Sequence, residues 1–493
     1  LQINPDSFDV IDSVPTYKLF IDGRWVRSSR NSIVDDFNPA TGAVFARVQQ
    51  AGAEEVENAI AAAHAASKIW GASLVAEREM LLLRVCDVII RRTPEIRDAL
   101  IEECGSVYGK ALWEIDYVTD LLRSTVGDVR HAMGETMPMS QPGQISMSVR
   151  RPLGVIAGIA PFNSPFLLSM KKIAFALAAG NTFVLKPSEE TPVSGALIAD
   201  IFAEAGLPAG VLNVIPGPAA EIGEQLLADP RVRMVTFTGS TRTGRHLAVE
   251  AARHLKRFTL EMGGKSPLIV LADADLDYAV DAAAFGIFLH QGQVCMANSK
   301  IIVEAPIFDA FCERFTAKAK TIVVGDPRDP NTIIGPLIRP TQGAFIDGHI
   351  EDACAKGAKL LTGGRGEGQY YNPTVLCDVT GEMRIYHEET FGPVVSILRA
   401  ADSEDALRIA NDTNYGLSAA LITNDLQKAW DLSLRLEAGM VHVNDCTISD
   451  EPHVPFGGVK NSGFGREGGR YSMEEMTEVK WITVQLGKRQ FPF

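Results

Sequence analysis

"RMVTFTGSTRTGRHLAVEAA", residues 233–252, reads as a short β-branched run, a Gly-Ser-Thr turn and an Ala-rich helical segment. The same alternation extends on both sides. "GVIAGIA", "TFVLK", "VLNVI" and "RFTLEM" are continuous apolar runs, separated by "FLLSMKKIAFALAAG", "GALIADIFAEAG" and "AEIGEQLLAD". Apolar strands spaced by helices of this length predict a parallel sheet covered on both faces. That is a doubly wound α/β domain, and its ligands bind beyond the carboxyl ends of the strands.

A second α/β block follows from about residue 264 to 460, with runs such as "PLIVL", "KIIVEA", "VVSILRA" and "SAALITN" between a predicted 274–290 helix and later helical segments. Between about 128 and 149 a Gly/Pro-punctuated stretch predicts an extended hairpin, and "EVKWITVQLG" near the C-terminus alternates like a half-buried strand. Two lone strands outside the main sheets are candidates for pairing across a subunit boundary.

The chain has 493 residues, too many for one hydrophobic core, with an ordinary 46% apolar and 22% charged content. A net charge of −14 argues against nucleic acid and against an anionic membrane surface. The weakly polar stretch 153–170 carries Pro161, Asn163 and Pro165, so it predicts a buried strand, a loop and a helix start, not a membrane span. The N-terminus lacks the basic and apolar regions of a signal peptide. Seven widely spaced cysteines without a CxxC pair or a neighbouring His at ligand spacing predict reduced thiols, a cytoplasmic protein and no metal site.

Several residues can carry chemistry, and each has an ordinary alternative. Gly239, Ser240 and Gly244 in "FTGSTRTG" place free N–H groups at a helix start, where a phosphate fits, although such turns are common in α/β folds. Lys186 and Glu189 follow the "TFVLK" strand and suit ribose hydroxyls, or simply a turn with a helix cap. Glu261 ends an apolar strand; recessed from water, it gains a raised pKa and suits a general base, or it is a strand-end glutamate. Asn163 sits between two prolines, aimed at an oxyanion or serving as a turn residue. Cys295, in "FLHQGQVCMAN" (288–298), is either a nucleophile lifted off its helix by Gly292 or one more packed thiol.

Taken together, "APFN", "LKPSEETP", "FTGSTRTG", "LEMGGKSP", "GQVC", "EETFGPV" and "PFGGVKNSG" resemble the aldehyde dehydrogenase superfamily, in order and along nearly the whole chain. The resemblance implies that Cys295 adds to an aldehyde and that Asn163 and the Cys295 N–H hold the oxyanion. A hydride then passes to a nicotinamide, and Glu261 activates the water that hydrolyses the thioester. It implies a proton relay through Lys172 and Glu467. Lys186, Ser188 and Glu189 would face the adenosine ribose, Gly239, Ser240 and Gly244 the pyrophosphate, and Glu389, Phe391 and Phe162 the nicotinamide end. Residues 1–127 and 150–263, with 462–476 returning, would form the cofactor domain. Residues 264–461 would form the catalytic domain, and 128–149 with 477–493 the bridging strands of a homodimer or homotetramer.

Glu261 favours release of a free acid over acylation of coenzyme A. Glu189 favours NAD, with NADP the weaker alternative, because a carboxylate repels a 2′-phosphate. Ser164 stands where the family often has a large aromatic, and the 443–458 loop resembles that of bacterial dehydrogenases of benzaldehyde, salicylaldehyde or vanillin. The expected substrate is therefore an aromatic aldehyde, held by Ser164, Leu168, Val294, Met296, Cys446 and Phe456. The alternatives are an aliphatic aldehyde or semialdehyde, and a non-catalytic relative.

Overall fold

A computed structural model describes residues 4–30 and 32–493. Its larger sheet has eight strands. Five of them run parallel: Val155–Ile159, Thr182–Lys186, Leu212–Val214, Val232–Thr238 and Arg257–Glu261. Taken as first to fifth along the chain, they lie in the order fifth, fourth, first, second, third. The order reverses between Val155–Ile159 and Val232–Thr238. The loops leaving those two strands, which carry Asn163 and Gly239, therefore flank the crevice where a doubly wound sheet binds its ligand.

Three short antiparallel strands complete the sheet. Leu19–Ile21 and Arg24–Val26 extend one edge, and Gly463–Phe464 pairs with Leu260–Glu261 at the other. The strand interiors are almost wholly buried, as expected where helices cover both faces. A separate four-stranded sheet, built from Phe8–Ile11, Val14–Tyr17, Ile33–Phe37 and Val44–Gln49, has no counterpart in the sequence reading.

The second sheet has seven strands, all parallel apart from Lys359–Arg365 at one edge. Lys300–Glu304 at its centre is flanked by Val394–Ala400 and Pro267–Val270. The chain is thus an α/β protein with two parallel sheets and a small β element.

The β element differs from the expectation in one respect. The helix Tyr108–Val129 overruns the start of the expected hairpin, which is reduced to one isolated bridge, Thr136–Met147. Gln144–Pro152 instead pairs along its length with Thr477–Gln485. The two lone strands satisfy each other's backbone hydrogen bonds within one chain, with Ile482 opposite Met147 and Val484 opposite Ile145. No helix of the described residues is long and apolar enough to cross a membrane. Pro161 to Ser164 indeed form a loop between the Val155–Ile159 strand and the helix Pro165–Ala178.

Candidate active site

Cys295 stands on a loop whose backbone is held under strain. The expected 274–290 helix ends at Phe288, and His290, Gln291 and Gly292 follow with φ of 50°, 55° and 67°. Left-handed backbone is unfavourable for residues bearing a Cβ, so the surroundings must enforce it. They do so through buried side chains. Gln291 Nε2 donates to the Pro336 carbonyl at 2.9 Å, and Gln293 Oε1 accepts from the Ile338 N–H at 3.2 Å. Gly292 is required for a second reason: a Cβ there would lie 2.1 Å from the Gly392 carbonyl oxygen. Sequence reading took Gly292 as the helix stop and missed His290, Gln291 and Gln293; a run of buried polar residues before the cysteine was the available signal.

Asn163 reaches the same loop. Its Nδ2 donates to the Gln293 carbonyl at 3.0 Å, which uses one of two amide hydrogens and leaves the other for a ligand. Its position is set from below. Lys110 Nζ donates to the Asn163 carbonyl at 2.9 Å, and the Glu114 carboxylate accepts from the Phe166 and Leu167 N–H groups at 3.0 and 2.9 Å. Those N–H groups open the helix Pro165–Ala178, where a carboxylate is favoured.

Gly263 and Gly264 join the cysteine to the "EETF" loop. Gly264 N–H donates to Glu389 Oε1 at 3.0 Å. A Cβ on Gly263 would meet Glu389 Oε2 at 2.2 Å, and one on Gly264 would meet the Cys295 carbonyl oxygen at 2.5 Å. Two glycines therefore let the thiol loop and Glu389 close on opposite sides of one strip of backbone. Phe391, itself at φ 50°, packs edge-on against Phe162 with ring centres 5.8 Å apart.

Burial governs the electrostatics. The Cys295 thiol is pushed up to about 12 by burial first, then by the charges of Glu389, Glu261 and Asp450. Glu389 is raised to about 7 by burial, against the Gly264 hydrogen bond and Lys265. Glu261 is buried, and neither carboxylate oxygen has a hydrogen-bond partner among the described residues. Its pKa is raised well above the usual range by burial and then by Glu467, with Lys172 and Lys171 opposing. Behind it, Lys172 Nζ meets Glu467 Oε1 at 2.5 Å, and Thr236 Oγ1 donates to the same oxygen at 3.2 Å.

The crevice on the other side of Asn163 has the features of a dinucleotide cradle. Ser240 caps the helix Thr241–Arg253, accepting from Thr243 N–H at 3.3 Å. A Cβ on Gly239 would strike the Phe237 ring at 2.5 Å, and one on Gly244 the Met262 sulfur at 2.3 Å, so a side chain at either would force its neighbour to move. Lys186 Nζ is buried and lies 3.3 Å from Glu189 Oε1, which also accepts from Ala219 N–H at 2.6 Å. Ser188 Oγ accepts from Glu190 N–H in the same turn.

Val294, Met296 and Phe456 join Cys295 in one apolar cluster with Leu417, Met440 and Ile448, the last three absent from the expected list. Ser164 and Leu168 lie at the start of the helix Pro165–Ala178. Cys446 lies beside that cluster: its thiol reaches the carbonyl of Ile448, a cluster member, at 3.4 Å, and its Cβ packs by Gly286.

With this geometry in place, the comparisons have a physical reading. Residues 25–482 match the model of the aldehyde dehydrogenase family. A vanillin dehydrogenase of Pseudomonas sp. strain HR199 is 43% identical over 96% of this chain and 99% of its own length. A benzaldehyde dehydrogenase [NAD(+)] of Pseudomonas putida is 40% identical over 97% and 98%. Among solved structures, a salicylaldehyde dehydrogenase from Pseudomonas putida G7, complexed with salicylaldehyde, superposes with a TM-score of 0.95. It is 40% identical, covering 97% of this chain and 99% of that one. The chain belongs to the aldehyde dehydrogenase family, oxidoreductases that act on the aldehyde group.

Proposed function

We propose that this chain oxidises an aromatic aldehyde to its carboxylic acid with NAD. The observation that carries the reading is the Gly263–Gly264 strip, which brings the Cys295 loop and Glu389 together at the mouth of the doubly wound sheet. The names of the relatives support the aromatic class, and the apolar cluster around Cys295 suits a ring.

The residues present fit a dinucleotide. Gly239, Ser240 and the first turn of Thr241–Arg253 would hold the pyrophosphate, Lys186, Ser188 and Glu189 one ribose, and Glu389 the other, with Phe391 and Phe162 beside the ring. When bound, NAD accepts the hydride released by the aldehyde carbon. The Cys295 thiol passes its proton to Glu261 and its sulfur bonds to that carbon, the oxyanion being held by the second Asn163 amide hydrogen and the Cys295 N–H. Loss of the hydride leaves a thioester on Cys295. Glu261, basic because it is buried and unpartnered, takes a proton from water, whose oxygen attacks the thioester and releases the acid and the thiol. Lys172 and Glu467 would carry the proton away from Glu261.

Glu189 disfavours a 2′-phosphate, so kcat/KM is expected to be higher with NAD than with NADP. NADH formation should be followed over a panel of aromatic and aliphatic aldehydes, with Cys295→Ala as the control. Full activity of that variant, or turnover of aliphatic substrates alone, refutes the reading. The seven free cysteines favour a reducing, cytoplasmic setting. A homodimer or homotetramer is favoured by the uncovered β element, as developed below.

A further inference from the structure

The helix Pro165–Ala178 leaves Asn163 along the wall of the proposed aldehyde pocket. Residues three and four apart share a helix face, so Ser164, Leu168 and Lys171 form one stripe. Lys171 is its charged end, and the oxidation scheme gives it no task. Its side chain is completely buried, with Nζ 2.7 Å from Asp450 Oδ2 and 3.5 Å from the Tyr117 hydroxyl. The same ammonium sits 4.2 Å from the centre of the Phe456 ring. Phe456 belongs to the cluster that holds Cys295. Asp450 lies on the 443–458 loop, its side chain nearly buried, and among the described residues no donor bonds its second oxygen, Oδ1.

A buried Lys–Asp pair is costly in an apolar pocket, and a plain hydrocarbon ring would be served better by an apolar wall. The arrangement instead matches a group that donates one hydrogen bond and accepts another. A phenol hydroxyl would donate to Asp450 Oδ1 and accept from the Lys171 ammonium while its ring lies against Phe456. We propose that Lys171 and Asp450, with Tyr117 behind them, form a subsite for a ring hydroxyl, so that hydroxylated benzaldehydes are preferred to benzaldehyde itself. The inference rests on the aromatic-aldehyde reading above and narrows it.

The test compares kcat/KM for the three monohydroxybenzaldehydes with that for benzaldehyde, in the wild type, Lys171→Met and Asp450→Asn. At least one hydroxylated isomer should exceed benzaldehyde by about tenfold or more in the wild type, since a site built for a hydroxyl rejects the analogue lacking it. Both variants should lose most of that ratio, the hydroxylated substrate falling further than benzaldehyde. Inhibition of the wild type by hydroxybenzoate and by benzoate gives a binding readout that does not depend on the variants folding, and hydroxybenzoate should bind more tightly. Equal treatment of the two substrates and the two acids by the wild type overturns the subsite, as does a parallel loss on both substrates in the variants. Absence of turnover on every ring-bearing aldehyde sinks the underlying aromatic reading, a different result from lost discrimination.

Discussion

Glu389 and Cys295 face each other across two glycines, and burial acts on both, with opposite consequences for their use. A carboxylate must be ionised to accept hydrogen bonds from two ribose hydroxyls. With its pKa raised to about 7, Glu389 loses that charge as pH falls through neutrality. kcat/KM for NAD should therefore fall below about pH 7, and Glu389→Gln should remove that limb of the profile. A limb unchanged in the variant would assign it to another group. The thiol, at about 12, is protonated throughout the working range, so its reactivity depends on a base and not on standing ionisation. Burial raises the basicity of Glu261 as well, and unlike Glu389 it has no hydrogen-bond donor among the described residues. Glu261→Gln should lower kcat by about 10²- to 10⁴-fold while an acyl group accumulates on Cys295, visible as added mass on the intact protein. Near-normal turnover without an adduct would remove Glu261 from the hydrolytic step. Residue types at strand ends and turns marked these positions as candidates, and the family resemblance proposed their roles. The pKa shifts were readable only in direction, because burial depends on what covers the strand.

At the scale of elements, the cysteine loop shows where reading the sequence stopped. The helical pattern before Cys295 was legible, but its end was placed too late, because nothing local to His290 and Gln291 marks them for left-handed backbone. Their conformation is imposed by Gln291 and Gln293 bonding to the 335–338 segment, contacts between residues more than forty apart. Gly292→Ala should cost about 1–3 kcal/mol for the backbone alone, and more for the approach to Gly392. The expected outcome is a lower denaturation midpoint and at least a tenfold loss of kcat/KM. A variant with wild-type stability and activity would show that the loop relaxes freely.

At the scale of the molecule, the β element is the unfinished part. One flank of Gln144–Pro152 is partly covered by 135–137, whereas Thr477–Gln485 keeps an open edge with Val479 and Trp481 59% and 62% exposed. Such an edge invites pairing with another chain. Val479→Glu combined with Trp481→Glu should shift the mass measured by light scattering toward the monomer; an unchanged mass would place the interface elsewhere. The sequence by itself determined the two parallel sheets, because strand–helix alternation is local, and its ordered motifs determined the family. Only the tertiary structure decided that lone strands pair within the chain and that Gly263–Gly264 separates Glu389 from Cys295. It alone set Lys171 against Asp450 beside Phe456. Each of these joins segments far apart in the chain, where burial and close approach depend on the packed whole and local pattern carries no record of them.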